Sequence, residues 1–250
     1  MEVEFQCEIN FNNTLKEVIL IEELANLFAD NPEEVKYYKA LNKTAVLLLS
    51  SKFEVFLEEC VAEFIDTINS LRINKNKISS YLKVKHSTII IENLLQIYKH
   101  DRKVDKVAEE LKKLAECWDD KEESIILNIN NKFNYGSHGS NEVIELFRNI
   151  DIPNVFEVVR VTRSSDSMLS DEEILVDFKG KLNSFINIRN GITHQDQTTN
   201  LTHKDIKDYR ELFAMFSLQL CNLLKTVIND NFRIHAEDEE SNQDMAPIHA

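Results

Sequence analysis

Only four glycines and three prolines punctuate these 250 residues. A chain that reverses often needs far more of both, so a turn-rich β architecture is disfavoured and long helices are favoured. From Pro32 to about Leu71 neither residue interrupts the chain. Leu47, Leu48, Phe53, Phe56, Leu57, Val61, Phe64, Ile65 and Ile68 recur there at three- and four-residue spacing. That period describes an amphipathic helix, either continuous or kinked near Ser50-Ser51.

Other segments read the same way. Thr14-Leu15-Lys16-Glu17 has the capping-box pattern and predicts a first helix from there to near Asp30. Asn31-Pro32-Glu33-Glu34 is a second start signal, with proline in the first turn and acids placed for the helix dipole. Residues 78–99 and 103–118 predict two more helices, although the β-branched run Ile89-Ile90-Ile91 leaves a short strand open. Residues 128–141 form a polar loop rich in turn formers, followed by a short helix over 141–150. Ser170-Asp171-Glu172-Glu173 predicts the cap of a helix that buries Ile174, Leu175, Phe178, Leu182, Phe185 and Ile186. Thr202 then caps a last helix running to about Ile228. The fold class is all-α, with about seven helices.

The formal net charge is −14, which on its face argues against a polyanion partner. Its distribution weakens that inference. Residues 1–34 carry −8 and residues 230–250 carry −5, so residues 35–229 are nearly neutral. This suggests three parts: an acidic N-terminal segment (1–34) packed on the body, a helical domain (35–229), and an acidic tail (230–250). From Glu237 to Asp244 the tail has no apolar residue, and it is expected to be disordered. Within the body, Arg72, Lys75, Lys77, Lys83 and Lys85 form a stretch without an intervening acid. Such a run is either a solvated loop and helix start or a surface that attracts phosphate.

Cys7, Cys60, Cys117 and Cys221 lie at least 53 residues apart without a CxxC pair, which is ordinary reduced usage rather than a disulfide or zinc framework. His86, His100, His138 and His203 share no metal-ligand spacing, and no Gly-rich phosphate loop is present, so neither a metal nor a cofactor is expected. The N-terminus has no secretory pattern and no apolar run reaches the length of a membrane span, which points to a cytoplasmic protein that does not enter a membrane. In the polar loop, Phe133, Tyr135 and His138 either stack on unpaired bases or anchor the loop to the body.

The residues that suit chemistry stand at the end of the helix predicted from 171, in Arg189-Asn190-Gly191-Ile192-Thr193-His194. A guanidinium offers a fixed fork of donors matched to phosphate oxygens. A histidine titrates near neutrality and moves a proton on or off a hydroxyl. Five positions on a perfect helix place the two about 140° apart, but Gly191 weakens the helix between them, and a loosened last turn would let His194 swing back. Together they suit metal-free RNA cleavage, with Asn190 binding phosphate or holding the arginine. The bland alternative is a helix C-terminus whose Arg and His satisfy its last carbonyls.

These residues resemble the Arg-[Asn/Asp/His]-x-x-x-His signature of HEPN domains (higher eukaryotes and prokaryotes nucleotide-binding). Ser51-Lys52-Phe53-Glu54-Val55-Phe56-Leu57-Glu58-Glu59, then the Gly136 loop with Glu142-Val143-Ile144-Glu145-Leu146-Phe147-Arg148-Asn149-Ile150, resemble the RiboL-PSP branch of that superfamily, over roughly residues 45–225. The resemblance implies an all-α HEPN-like bundle with an N-terminal helical extension. It implies a metal-independent endoribonuclease, often a toxin or effector of bacterial toxin–antitoxin or anti-phage systems, with RNA as substrate and an antitoxin or a sensor ATPase as partner. It also implies homodimers in which two motifs face across a two-fold axis and build one composite site. Arg189 and His194 then become catalytic, with Asn190 in support. Some members have lost activity and serve as binding or scaffold modules.

Overall fold

A computed structural model describes residues 4–101, 103–121, 123–133, 139–164, 173–195 and 200–233. The described residues are helical almost throughout: α1 (Gln6–Leu27), α2 (Val35–Ser70), α3 (Ser80–Gln96), α4 (Val104–Trp118), α5 (Ser140–Arg148), the single turn α6 (Val155–Val158), α7 (Phe178–Gln195) and α8 (His203–Ile228). A short antiparallel ribbon, β1 (Thr162–Ser164) and β2 (Glu173–Leu175), pairs Arg163 with Ile174. The all-α reading holds. The chain divides into two compact units. One comprises Met1–Cys60, Phe133–Glu145 and Asn154–Leu223; the other comprises Val61–Lys132, Leu146–Pro153 and Leu224–Ala250.

The first unit is built on an aromatic core. The Phe53 ring of α2 lies 4.4 Å from Phe213 and 6.0 Å from Phe216 of α8, and 6.3 Å from Phe178 of α7. Phe178 stacks on Phe216 at 4.1 Å, and Phe185 meets Phe213 edge-on at 5.0 Å. From α1, Phe11 stacks on Phe56 at 4.9 Å. Aromatic pairs of this kind add roughly 0.5–1.5 kcal/mol each beyond their buried area. One ion pair is sunk in the same unit: Arg210 Nε donates to both carboxylate oxygens of Glu22, at 2.9 and 3.2 Å. Burial nevertheless pushes the Glu22 carboxyl up from its ordinary value, with Arg210 opposing.

Local chemistry sets most helix ends. The Asn31 side chain accepts from Glu33 N at 3.1 Å and opens the Pro32 turn ahead of α2. Thr202 and Asp205 form a reciprocal cap at α8: the Thr202 hydroxyl accepts from Asp205 N, and Thr202 N donates to the Asp205 carboxylate at 2.8 Å. The Thr202 hydroxyl also donates to that carboxylate at 2.6 Å, and this bond, followed by the one from Thr202 N, holds the Asp205 carboxyl below its ordinary value. The α7–α8 connection is tied to α2 by Asn42 Nδ2 donating to the Leu201 carbonyl at 2.9 Å.

In the second unit, α2 ends at a left-handed Arg72 (φ 48°). Asn69 then grips the chain at Leu127 through both backbone groups, at 2.8 and 3.0 Å. Lys75 is 1 % exposed, and its ammonium donates to the Glu116 carbonyl at 2.7 Å and to the Asp119 carboxylate. It holds the Asp119 carboxyl below its ordinary value. Phe64 meets Phe232 edge-on at 6.3 Å.

Several sequence expectations need correction. α1 begins at Gln6 rather than at Thr14, because Phe5, Cys7 and Phe11 are already buried; Thr14 is mid-helix, its hydroxyl donating back to the Asn10 carbonyl at 3.3 Å. α2 is continuous through Ser50-Ser51, and Ile89-Ile90-Ile91 is helical within α3. The helix expected from 171 starts at Phe178, with Asp177 as its cap, accepting from Gly180 N at 2.9 Å. Ile174 and Leu175, expected to be buried, sit in β2 at 57 % and 62 % exposed. Tyr98 and Trp118 are large aromatics on helical spacing yet are exposed, although Trp118 Nε1 donates to the Ser87 hydroxyl at 2.8 Å. The segment His203–Phe232 is long and apolar enough to cross a membrane by length and composition. In the fold its apolar side chains Phe213, Phe216 and Leu220 are core.

Phe53 touches rings from both α7 and α8, so Phe53→Ala is expected to cost about 3–5 kcal/mol of unfolding free energy. A denaturant titration checks this; a loss below about 1 kcal/mol would show that the aromatic contacts do not hold these helices together.

Candidate functional site

The site is built on the last turns of α7. Phe178, Leu182, Phe185 and Ile186 bury one face of this helix, and Arg189 follows Phe185 by one turn at the edge of that face. The Arg189 Nη2 donates to Glu54 Oε1 of α2 at 2.9 Å, and both side chains are only 19 % exposed. Nη1 donates to Asn190 Oδ1 at 3.0 Å. The Ser50 hydroxyl, one turn before Glu54, donates to the same carboxylate oxygen at 3.4 Å. A part-buried guanidinium is thus held by one carboxylate and one amide, which occupy two of its five N–H donors.

His194 lies in the final turn and is exposed. The loosening anticipated at Gly191 does not occur, because α7 is helical through Gln195. Ile192 is buried, which contributes about 1.5–3 kcal/mol and offsets the roughly 1 kcal/mol that glycine costs in a helix. The Thr193 hydroxyl also donates back to the Arg189 carbonyl at 2.9 Å. On an unbroken helix Arg189 and His194 therefore point about 140° apart. The guanidinium is fixed against α2 while the imidazole is presented to solvent.

The other candidate residues are treated differently by the fold. Tyr135 and His138 lie outside the described residues. Lys75 does not belong to an RNA-facing set: it is buried as the partner of Asp119 and the Glu116 carbonyl. Lys83 sits over the Trp118 ring at 5.7 Å and Lys85 over the Tyr81 ring at 5.4 Å. Arg72 and Lys77 are exposed. Arg163 is in β1 and donates to the Asp208 carbonyl at 3.0 Å. Phe133 N donates to Glu58 Oε1 at 2.9 Å, which anchors the start of the polar loop to α2.

Sequence reasoning did not single out Glu54 as a site residue. Its signal is positional: an acid directly beside Phe53 and one turn before Leu57, at the edge of the apolar stripe of α2, where a carboxylate needs a partner.

An all-α domain whose penultimate long helix ends in a held arginine and an exposed histidine defines the class. The RiboL-PSP-HEPN family model matches residues 10–230, and the chain belongs to that family. HEPN domains are generally ribonucleases, so membership of the family supports an RNA-related function of ribonuclease type. No curated protein and no solved structure matches the chain.

Removing the carboxylate that holds Arg189 is expected to cost about 2 kcal/mol, the scale of a charged hydrogen bond left unmade. Glu54→Ala measured by chemical denaturation checks this, and Glu54→Gln is expected to lose less because its amide oxygen still accepts. Equal stability of wild type and Glu54→Ala would show that the pair carries no weight in solution.

Proposed function

We propose that this protein is a metal-independent endoribonuclease that works as a homodimer, with Arg189 and His194 of two copies forming one composite site. The observation that carries the reading is the end of α7, where a complete Arg-Asn-x-x-x-His motif keeps its arginine anchored and its histidine exposed on an unbroken helix. Because the two side chains diverge on one helix, a second copy related by two-fold symmetry supplies what one chain does not bring together, and an isologous interface pairs identical patches.

In this mechanism the ribose 2′-oxygen attacks the adjacent phosphorus while a His194 imidazole takes up the 2′-hydroxyl proton. The P–O5′ bond breaks, the departing 5′-oxygen gains a proton, and a 2′,3′-cyclic phosphate remains. The Arg189 guanidinium stabilises the charge that accumulates on the phosphorane oxygens. Asn190 supports the arginine, and Glu54 sets its position through a 2.9 Å contact. RNA-backbone contacts fall to Arg72, Lys77, Lys83 and Lys85, with Tyr135 and His138 as stacking residues. The biological setting we infer is a cytoplasmic toxin or effector of a bacterial toxin–antitoxin or anti-phage system, restrained by an antitoxin or a sensor ATPase.

A second reading is a non-catalytic RNA- or partner-binding scaffold. It is favoured by the same ion pair, since a guanidinium neutralised by Glu54 is less available to phosphate. Growth arrest on expression separates the two: a nuclease arrests cells in a His194-dependent way, and a scaffold does not.

His194→Ala is expected to lower RNA cleavage by about 10²–10⁴-fold, and Arg189→Ala by a comparable factor, with fold and oligomeric state unchanged. Cleavage assays with circular dichroism and sedimentation check this. Persistence of cleavage in His194→Ala, or its loss with a chelator and return with a divalent ion, would contradict the reading.

A further inference from the structure

Cys7 lies in the first turn of α1, Cys60 in α2 and Cys221 in α8. No sequence spacing links them, yet the fold brings all three sulfurs within 4.8 Å of one another, with Cys7 Sγ and Cys60 Sγ 3.4 Å apart. Each is fully buried, and so are their chain neighbours Phe5, Phe11, Phe56, Leu57 and Leu220. Among the described residues no further histidine, cysteine or carboxylate joins the cluster as a fourth ligand.

Geometry and charge together narrow what such a cluster accepts. Three sulfurs around one centre, at bond lengths of about 2.3 Å, stand roughly 4 Å apart in a trigonal plane and closer in a pyramid. The 3.4 Å between Cys7 and Cys60 fits a pyramid, and the 4.8 Å bound on the cluster leaves the third sulfur within about 1 Å of doing so. Zinc in structural sites is tetrahedral and asks for a fourth ligand. Zinc held by three thiolates would leave one net negative charge, and copper(I) two, in a site with no exposed surface. Burying uncompensated charge costs several kcal/mol per ion. A trivalent centre leaves none.

We propose that Cys7, Cys60 and Cys221 form a three-thiolate site for a trivalent thiophilic oxyacid of the arsenite type. The exchange balances without an oxidant. Three S–H bonds and three As–O bonds break, three As–S bonds form, and each departing hydroxide leaves as water with one thiol proton. The product is neutral and so compatible with an apolar core. Entry is through the start of α1: its cap residue, Phe5, offers no side-chain hydrogen bond, and Cys7 lies two residues further on, within reach of fraying at the helix end. Occupation ties α1, α2 and α8 together, so bound protein melts at a higher temperature. None of this chemistry depends on RNA cleavage.

The test uses the reduced full-length protein. Intact-mass titration with arsenite is expected to show one arsenic per chain. Alkylation under mild denaturation followed by peptide mapping is expected to find Cys7, Cys60 and Cys221 protected and Cys117 modified. Cys60→Ala is expected to weaken arsenite binding by at least about tenfold, consistent with the loss of one of three bonds to the centre, while Cys117→Ala leaves it unchanged. If Cys60→Ala fails to fold by circular dichroism, the wild-type protection map decides alone. No adduct on the folded protein, alkylation of Cys60 in the presence of arsenite, or undiminished binding by folded Cys60→Ala would overturn the proposal.

Discussion

The ring of Phe53 is where α2, α7 and α8 meet, and the position of every residue in the candidate site follows from that contact. With Phe178 stacked on Phe216 and Phe185 against Phe213, α7 is pinned to α8 at two points two turns apart. A helix held at two points along its length cannot rotate about its axis. Arg189, one turn beyond Phe185, is therefore aimed at a fixed place, and Glu54, the neighbour of Phe53, is already there. The same residues that close the core thus set the guanidinium, so a core substitution at Phe53 acts on the site as well as on stability.

Charge in this protein is placed by what burial demands. Arg210 meets both oxygens of Glu22, yet the carboxyl is still pushed up, so the loss of water outweighs a well-made pair there. Lys75 shows the opposite compromise: its stem is buried while its ammonium reaches a carbonyl and a carboxylate at the end of α4. Arg189 lies between these cases, half-enclosed and held by one carboxylate and one amide. A guanidinium in that state is pre-positioned, and little side-chain entropy remains to be lost when an anion arrives.

Much of the helical order was legible because few residues oppose it. The scarcity of glycine and proline, the Asn31-Pro32 start and the Thr202 cap mark α2 and α8 close to their observed ends. A local signal misleads where tertiary burial competes with it. Thr14 carries a good capping pattern, but Phe5, Cys7 and Phe11 extend the helix through it. Ile174 and Leu175 fit a helical apolar face in sequence, but pair as an exposed strand with residues 162–164. Lys75 looks like one more lysine in a basic run, and only the arrival of the Glu116 carbonyl and Asp119 from 41 and 44 residues away makes it internal. Arg189, Asn190 and His194 could be read from their motif. Glu54 could not be paired with Arg189, because the contact joins residues 135 positions apart. The convergence of Cys7, Cys60 and Cys221 was invisible for the same reason.

The anchored arginine and the exposed histidine diverge on one helix, and under the proposed function a second copy completes their site. Subunit mixing tests it most directly. Arg189→Ala and His194→Ala proteins, each inactive alone, are unfolded together, refolded as mixed dimers and assayed on RNA. A composite site predicts that the mixture regains cleavage, since each mixed dimer again holds one arginine and one histidine. A mixture that forms heterodimers and stays inactive would contradict it.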